Sequence, residues 1–460
     1  MEEKDKTLSE LLSEKIGEKD FKTLRELLHE TNPVDVAEAL AELPERELTI
    51  CFRMLDKDTA SEVFSGMEPD AQELLIRSLS DKELKEIVDD MWTDDAADLV
   101  EEMPANVVSR ILAAASPETR KSINELLRYP EDSVGSIMTP DYVTLKESMT
   151  VDEALAHIRK VGLDKETIYT CYVTEARKLI GVVSARSLLI ADGSAPISGL
   201  MHRNFVSLNT DDDREVAASE IKKYGLIAMP AVDKEGRLVG IVTVDDAIDV
   251  LEEETTEDME IMAAISPSEK PYLKTGVFET WKQRIPWLLL LMVSATFTGM
   301  IISGFEEALA ACTALTAFIP MLMDTGGNSG SQSSVTIIRA LALGDITPKD
   351  ILKVIGKELR VAVLCGVTLA AANFVKIVLV EMLLFKSLEF SPQGFLVITA
   401  VCLTLLITIL FAKLIGCSLP IAAKALKLDP AVMASPFITT AVDAISLIVY
   451  FFISTQILKL

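Results

Sequence analysis

A chain of 460 residues, 49% hydrophobic and with a mean hydropathy of +0.31, is too long for one domain and too apolar to be soluble throughout. Residues 285–460 hold 11 Lys and Arg against 10 Asp and Glu, from totals of 44 and 70, so the net charge of −26 lies wholly in the first 284 residues. Acidity of that density excludes nucleic acid as a partner and concentrates cations, divalent ones above all. The six cysteines, Cys51, Cys171, Cys312, Cys365, Cys402 and Cys417, form no CxxC pair. Four lie in apolar runs, which argues against a disulfide framework or a zinc site. The opening MEEKDKTLSE is charged and carries no apolar run, so the N-terminus is expected to stay in the cytosol.

Residues 1–130 read as an acidic helical N domain. Short helical patterns end at prolines, and a phrase recurs: DVAEALAELP from Asp35, DTASEVFSGM from Asp58 and DAADLVEEMP from Asp95. Each reads as an Asp cap, an apolar stripe and a stop, which predicts an all-α array of stacked short helices.

Residues 131–250 change to β-branched runs alternating with helical segments, and the block is duplicated. VGSIMTPDYVTL from Val134 matches ISGLMHRNFVSL from Ile197, and KLIGVVSARSLL from Lys178 matches RLVGIVTVDDAI from Arg237. Two copies in order and spacing resemble a tandem pair of CBS domains, an α/β module that in many proteins senses adenine nucleotides. That resemblance implies ribose-holding roles for Thr243 and Asp246 in the second copy. The first copy departs from it, with Ser187 in the aspartate's place.

Residues 251–280 carry an acidic helix, LEEETTEDMEIMAA from Leu251, that leads to Trp281 and the membrane half. Residues 281–460 are expected to form a five-helix α transmembrane domain, because a hydrocarbon core about 30 Å thick needs about 20 apolar residues in a helix. The candidates are 286–304, 308–323 with a continuation past Ser334, 359–385, 395–415 and 434–458. Lys349, Lys353 and Lys357 follow the second and Lys413, Lys424 and Lys427 the fourth, while Glu306 and Glu307 lie in the first loop. The positive-inside rule then puts the N-terminus in the cytosol and the C-terminus outside.

Three features interrupt the apolar pattern. The polar, glycine-rich stretch 320–334 contains Asp324, Gly326, Gly327, Asn328 and Gln332, and reads as a re-entrant or broken helix lining a water-filled path. Asp443 is a lone carboxylate inside an apolar span, a functional site by default. One Asp per subunit, with backbone carbonyls of Thr439 or Thr440 a turn earlier, suits a hydrated Mg²⁺ on a dimer axis. Pairing of Asp443 with Lys376 is the structural alternative. Lys376 and Glu381 themselves read as structural, near the outer end of the third span.

The stretches PMLMDTGGNSGSQSSVTIIRALALGDI and LDPAVMASPFITTAVDAISLIVYF resemble the two signature segments of the MgtE magnesium channels. The order of helical N domain, CBS pair, plug helix and five spans extends that resemblance over essentially the whole chain. The resemblance implies a homodimeric Mg²⁺ channel of the plasma membrane, embedded in lipid, with Asp443 selecting the ion. It implies closure by cytosolic Mg²⁺ at acidic positions that include Asp94, Asp98, Asp245, Asp249, Glu254, Glu257, Asp258 and Asp429. It also implies ATP at the CBS cleft through Tyr169, Arg186, Pro230, Thr243 and Asp246, although Leu226 stands where an aromatic would stack the adenine.

Other readings stay open on sequence. Another divalent cation such as Co²⁺ could be the cargo, although the membrane half offers oxygen ligands and no His or Cys cluster. A membrane-bound metal or nucleotide receptor would explain the acidic half but leave Asp443 unexplained. An intramembrane aspartyl protease would use Asp324 and Asp443 together, but the GxGD and YD contexts expected of one are missing, and no enzyme activity is expected.

Overall fold

The computed structural model describes residues 6–268, 272–273, 275–433 and 435–459. The chain divides into two compact units, Met1–Leu251 and Glu252–Leu460.

The first unit opens with ten short helices, α1 (Leu8–Glu18) through α10 (Pro117–Leu126). Thr7, Asp20, Asn32, Asp56, Ser80 and Ser116 each cap a helix by accepting a backbone N–H two or three residues on. The recurring aspartates are not those caps. Asp35 lies in the first turn of α3 (Pro33–Ala41) behind Asn32, and Asp95 in the first turn of α8 (Thr93–Glu102) behind Trp92. There they favour the positive end of the helix dipole instead. The side chain of Asp58 lies outside the described residues. Helices pack on their second neighbours, α1 on α3, α3 on α5 (Lys57–Ser65), α5 on α7 (Asp81–Val88) and α7 on α9 (Ala105–Ala114). Leu12, Leu28, Leu40, Phe64, Leu75 and Leu84 form the continuous core that no single helix could bury alone.

The duplicated block folds as two matching sheets. In the first, β1 (Tyr142–Leu145) is parallel to β2 (Thr167–Glu175), which is antiparallel to β3 (Lys178–Ser184), with α11 (Val151–Val161) as the crossover and α12 (Ala185–Ile190) following. The turn helix α13 (Ile197–Leu200) leads to the second copy, in which β4 (Leu208–Asn209), α14 (Arg214–Tyr224), β5 (Ala228–Val232) and β6 (Leu238–Thr243) repeat that order. Bridges Lys178 to Arg237 and Val182 to His202 join the copies. Ala97 and Leu126 of the helical array enter the core of the second copy beside Met138, Leu208 and Met229.

The acidic segment does not start a new helix after the second copy. It is the later part of α15 (Val244–Met262), which begins at the end of β6 and runs through the boundary between the units.

The second unit contains α16 (Val277–Gly304), the short α17 (Glu306–Ala311), α18 (Ile319–Ala342), α19 (Ile351–Lys376), α20 (Pro392–Ala425) and α21 (Ser435–Leu458). α19 continues as a π-helical stretch, Ile377–Leu384. Among the described residues, four stretches, Val277–Gly304, Pro348–Leu384, Pro392–Ala425 and Pro430–Leu458, are long and apolar enough to cross a membrane. α18, at 24 residues, matches the fifth in length but carries the polar motif.

The expectation of a broken or re-entrant segment at 320–334 is wrong. α18 passes through it as uninterrupted helix. Glycine and serine are poor helix formers in water, but in an apolar setting the backbone must satisfy its own hydrogen bonds. What the glycines supply is closeness. A Cβ on Gly326 would lie 2.7 Å from the Thr408 methyl, on Gly327 2.7 Å from the Thr439 methyl, and on Gly330 2.8 Å from Ile438. One on Gly416 of α20 would strike the Gly330 carbonyl oxygen. These small-residue contacts bring α18 and α20 together backbone to backbone and seat the Thr439 and Ile438 side chains of α21 against the α18 backbone.

Lys413 also departs from expectation. It is no loop residue but lies within α20, 5% exposed.

Candidate functional site

In the second unit the motif residues of α18 divide between two faces. Gly326, Gly327, Ser329 and Gly330 are buried against α20 and α21, while Asp324, Asn328 and Gln332, four residues apart, form an exposed polar stripe. α21 brings Thr439, Thr440 and Asp443 alongside, all half-buried. The Ser331 and Thr439 hydroxyls stand 3.4 Å apart, and the Thr440 hydroxyl donates back to the Pro436 carbonyl at 3.0 Å. Asp443 Oδ1 is enclosed and has no hydrogen-bond partner. The charge of Asp324 acts on Asp443, but no hydrogen bond joins the two among the described residues. Lys376 pairs with Glu381 at 3.6 Å, so it is engaged with another carboxylate than Asp443. An enclosed carboxylate oxygen with no donor among the described residues is suited to a cation or its water shell, and the polar groups beside it, the Thr439 and Thr440 hydroxyls and the Asp324 carboxylate, offer oxygens.

The first unit gathers a second set of carboxylates around α8 and the start of α15. Asp94 is 7% exposed, and its Oδ1 has no partner; Glu166 Oε2 is likewise enclosed and unpartnered. Burial first, and then the like charges of Asp246, Asp95 and Glu166, hold the Asp94 carboxyl well above its ordinary range. Burial and the charges of Asp95, Asp246 and Asp245 push Glu166 up to about 8. Asp246 is pushed up to about 6 by burial, against a hydrogen bond from Thr243, with Asp245 and Asp95 adding repulsion. The Lys165 ammonium is held 3.1 Å from Asp141, which also accepts from Thr93 at 2.7 Å.

Sequence reasoning named Asp94 and Asp98 here but missed Asp95 and Glu166. Asp95 follows Asp94 directly and reads as a cap, and Glu166 sits after a turn with no motif around it. Asp246, expected on nucleotide grounds, faces this acidic set. Its Oδ2 accepts from the Thr243 hydroxyl at 2.5 Å and the Thr243 amide at 3.3 Å, fastening the start of α15. In the first copy Ser184 and Ser187 make the corresponding contact at 2.8 Å. Tyr169 and Arg186 are exposed and Pro230 is buried in β5. Asp98, Asp245 and Asp249 are exposed; Glu254, Glu257 and Asp258 lie on the later turns of α15; Asp429 is exposed and accepts from the Ala431 amide at 2.8 Å. Among the described residues no three His, Cys, Asp or Glu side chains stand close enough to hold a bare metal ion. Mg²⁺ that keeps its waters does not require such a cage. The orphaned oxygens of Asp94 and Glu166 fit a cation of that kind.

An apolar helical unit with an enclosed carboxylate beside a polar helix face, joined to a duplicated α/β block and an acidic helical array, is the architecture of a multi-pass membrane transport protein with large attached domains. The model of the MgtE divalent cation transporter family matches residues 319–453, that of the MgtE intracellular N domain residues 31–132, and that of the CBS domain residues 134–193 and 197–253. The chain is 36% identical to the magnesium transporter MgtE of Thermus thermophilus, over all of both chains, and 32% identical to that of Bacillus subtilis, over 95% of this chain and 94% of the relative. A crystal structure of the cytosolic domain of the Mg²⁺ channel MgtE in complex with ATP matches 53% of this chain and all of its own, at 38% identity and a TM-score of 0.50. The chain belongs to the MgtE family of magnesium transporters.

Proposed function

We propose that this protein is a Mg²⁺ channel for uptake across the plasma membrane, a homodimer in lipid whose conduction path lies between subunits along α18 and α21. The observation that carries this reading is Asp443 Oδ1, enclosed at membrane depth with no protein partner. Its neighbour Asp324, with Asn328 and Gln332, continues the polar surface along α18, and in a single subunit that stripe is exposed. Against lipid it would be costly; against its own copy it becomes the wall of a hydrated path. Asp443 would hold Mg²⁺ through the ion's water shell, with the Thr439 and Thr440 carbonyls beside it. The orientation has the N-terminus in the cytosol and the C-terminus outside.

Closure by cytosolic Mg²⁺ would act through the acidic set of the first unit. Bare, Asp94, Asp95, Glu166 and Asp246 repel one another; a divalent cation turns that repulsion into attraction. Asp98, Asp245 and Asp249 add charge around it, and Glu254, Glu257, Asp258 and Asp429 serve the same regulation in the second unit. α15 is the mechanical link, because Asp246 stands at its start and Ile261 and Met262 at its end pack on Ile338 of α18 and on Ala431. ATP at the CBS pair, through Tyr169, Arg186, Pro230, Thr243 and Asp246, would bias the same helix.

The test is Mg²⁺ entry into proteoliposomes for the native chain and Asp443→Ala, with and without millimolar-range Mg²⁺ on the cytosolic face, and with Co²⁺ as a competing cargo. Entry is expected to vanish in the variant and to fall with cytosolic Mg²⁺. Entry indifferent to Asp443 would overturn the pore assignment and favour a metal or nucleotide receptor instead.

A further inference from the structure

A buried ion pair lies where α18, α19 and α20 meet. Lys413 of α20 is 5% exposed, and its ammonium donates to the Ser333 hydroxyl of α18 at 3.1 Å and stands 3.9 Å from Glu358 of α19. The Ser333 hydroxyl, 2% exposed as a residue, donates in turn to Glu358 Oε2 at 2.6 Å. Serine is thus the middle member of a chain from ammonium to carboxylate, and the only one of the three on the helix that bears the polar stripe.

We propose that Lys413, Ser333 and Glu358 are positioning residues, a three-helix latch that sets the rotation of α18 and so aims Asp324, Asn328 and Gln332 into the conduction path. The inference rests on the reading of α18 as a wall of that path. Successive residues of an α-helix are separated by about 100° around the axis, so Ser333 fixes where Gln332 points. On the same packed face Ser334, fully buried, adds a further side-chain bond, donating to the Met433 carbonyl at 3.2 Å, but this bond links no charges. Gly326, Gly327 and Gly330 give close but smooth contacts with no directional bond through a side chain. A turn of one residue would present Thr325, Ser329 and Ser333 where the stripe now stands and would move the Asp324 charge away from Asp443. Directional hydrogen bonds between full charges in an apolar setting oppose that turn. An apolar trio of the same volume would fill the space equally well without fixing the angle.

The logic of buried pairs shapes the experiment. Removing one charge strands the other, whereas neutralising both leaves no uncompensated charge. The full chain in proteoliposomes is compared as native, Ser333→Ala, Ser333→Thr, the double variant Lys413→Met with Glu358→Gln, and Asp443→Asn as the pore reference. Mg²⁺ entry and the thermal midpoint in detergent are read for each. The latch predicts that Ser333→Ala and the double variant keep a near-native midpoint while entry falls about tenfold, the scale expected when a network residue touching no ligand is lost. Ser333→Thr, which keeps the hydroxyl, is expected to recover most of the entry. Native entry in Ser333→Ala and in the double variant would overturn the latch, with a silent Asp443→Asn channel leaving the pore reading intact. Midpoint and entry falling together in Ser333→Ala, with no rescue by threonine, would also overturn it, as a packing role only. Undiminished entry through Asp443→Asn would instead sink the pore reading beneath it.

Discussion

Asp94 and Glu166 illustrate how little of a carboxylate's role is written in its own residue type. Both are acidic side chains among 70, yet their neighbours make them bind protons far more tightly in the folded chain than in an unfolded one. An unperturbed carboxyl titrates near 4, so in cation-free protein the Asp246 and Glu166 groups stabilise the fold below that pH. Their contribution is lost as pH rises through about 6 for Asp246 and about 8 for Glu166. In the full chain with chelator, the protection of α8 amides against hydrogen exchange, expressed relative to the intrinsic rate at each pH, should therefore fall as pH is raised from 5 to 8. Asp94→Asn should flatten that dependence, and an unchanged slope in the variant would show that the carboxylate repulsion is unimportant. Added Mg²⁺ is expected to suppress the exchange most at the upper end of that range. Asp94 and Asp98 were named from the sequence only through the resemblance to the MgtE family. Glu166 was not named at all, because it meets α8 only through folding of a strand many residues away.

At the scale of elements, α18 was read as functional and, wrongly, as broken. Composition counts glycines as helix breakers because the comparison is with water; between α20 and α21 the same residues are the means of approach. Gly416→Ala makes this testable, since its Cβ meets the Gly330 carbonyl. Overpacking of this kind costs about 1–3 kcal/mol, so a lowered thermal midpoint and weakened Mg²⁺ entry are expected. Gly356→Ala on α19, where an added Cβ meets nothing within 4 Å, should leave the midpoint unchanged or raise it. Equal effects of the two substitutions would contradict the packing account. In the N-terminal array, by contrast, the recurring phrase marked α3, α5 and α8, while the others were read only as short helical patterns ending at prolines. The cap position lies three residues before the aspartate of the phrase, at Asn32 and Trp92.

For the molecule as a whole, the regulation proposed above depends on the continuity of α15. A helix running from Val244 to Met262 transmits rotation and displacement as a rod, whereas a jointed connection would not. Proline in its interior removes a backbone hydrogen bond and clashes with the preceding turn, at about 3 kcal/mol or more. Glu252→Pro, at an exposed position, is expected to leave Mg²⁺ entry in place and to blunt its inhibition by cytosolic Mg²⁺ severalfold. Glu252→Ala should behave as the native chain. Retained inhibition in the proline variant would mean that regulation bypasses α15.

The sequence by itself determined the order of parts: capped short helices, a duplicated strand-helix block, an acidic connector, and apolar helices carrying Asp324 and Asp443. These follow from local signals, namely periodicity, caps, duplication and runs of apolar residues, which act over a turn or two of chain. Tertiary structure alone decided that the glycine motif is unbroken helix, that Lys413 is buried against Ser333 and Glu358, and that Asp246 joins Asp94 and Glu166. In each case the deciding quantity is the dielectric and the neighbours around a polar group. Those are supplied by residues far away in the chain, brought near only when the helices pack.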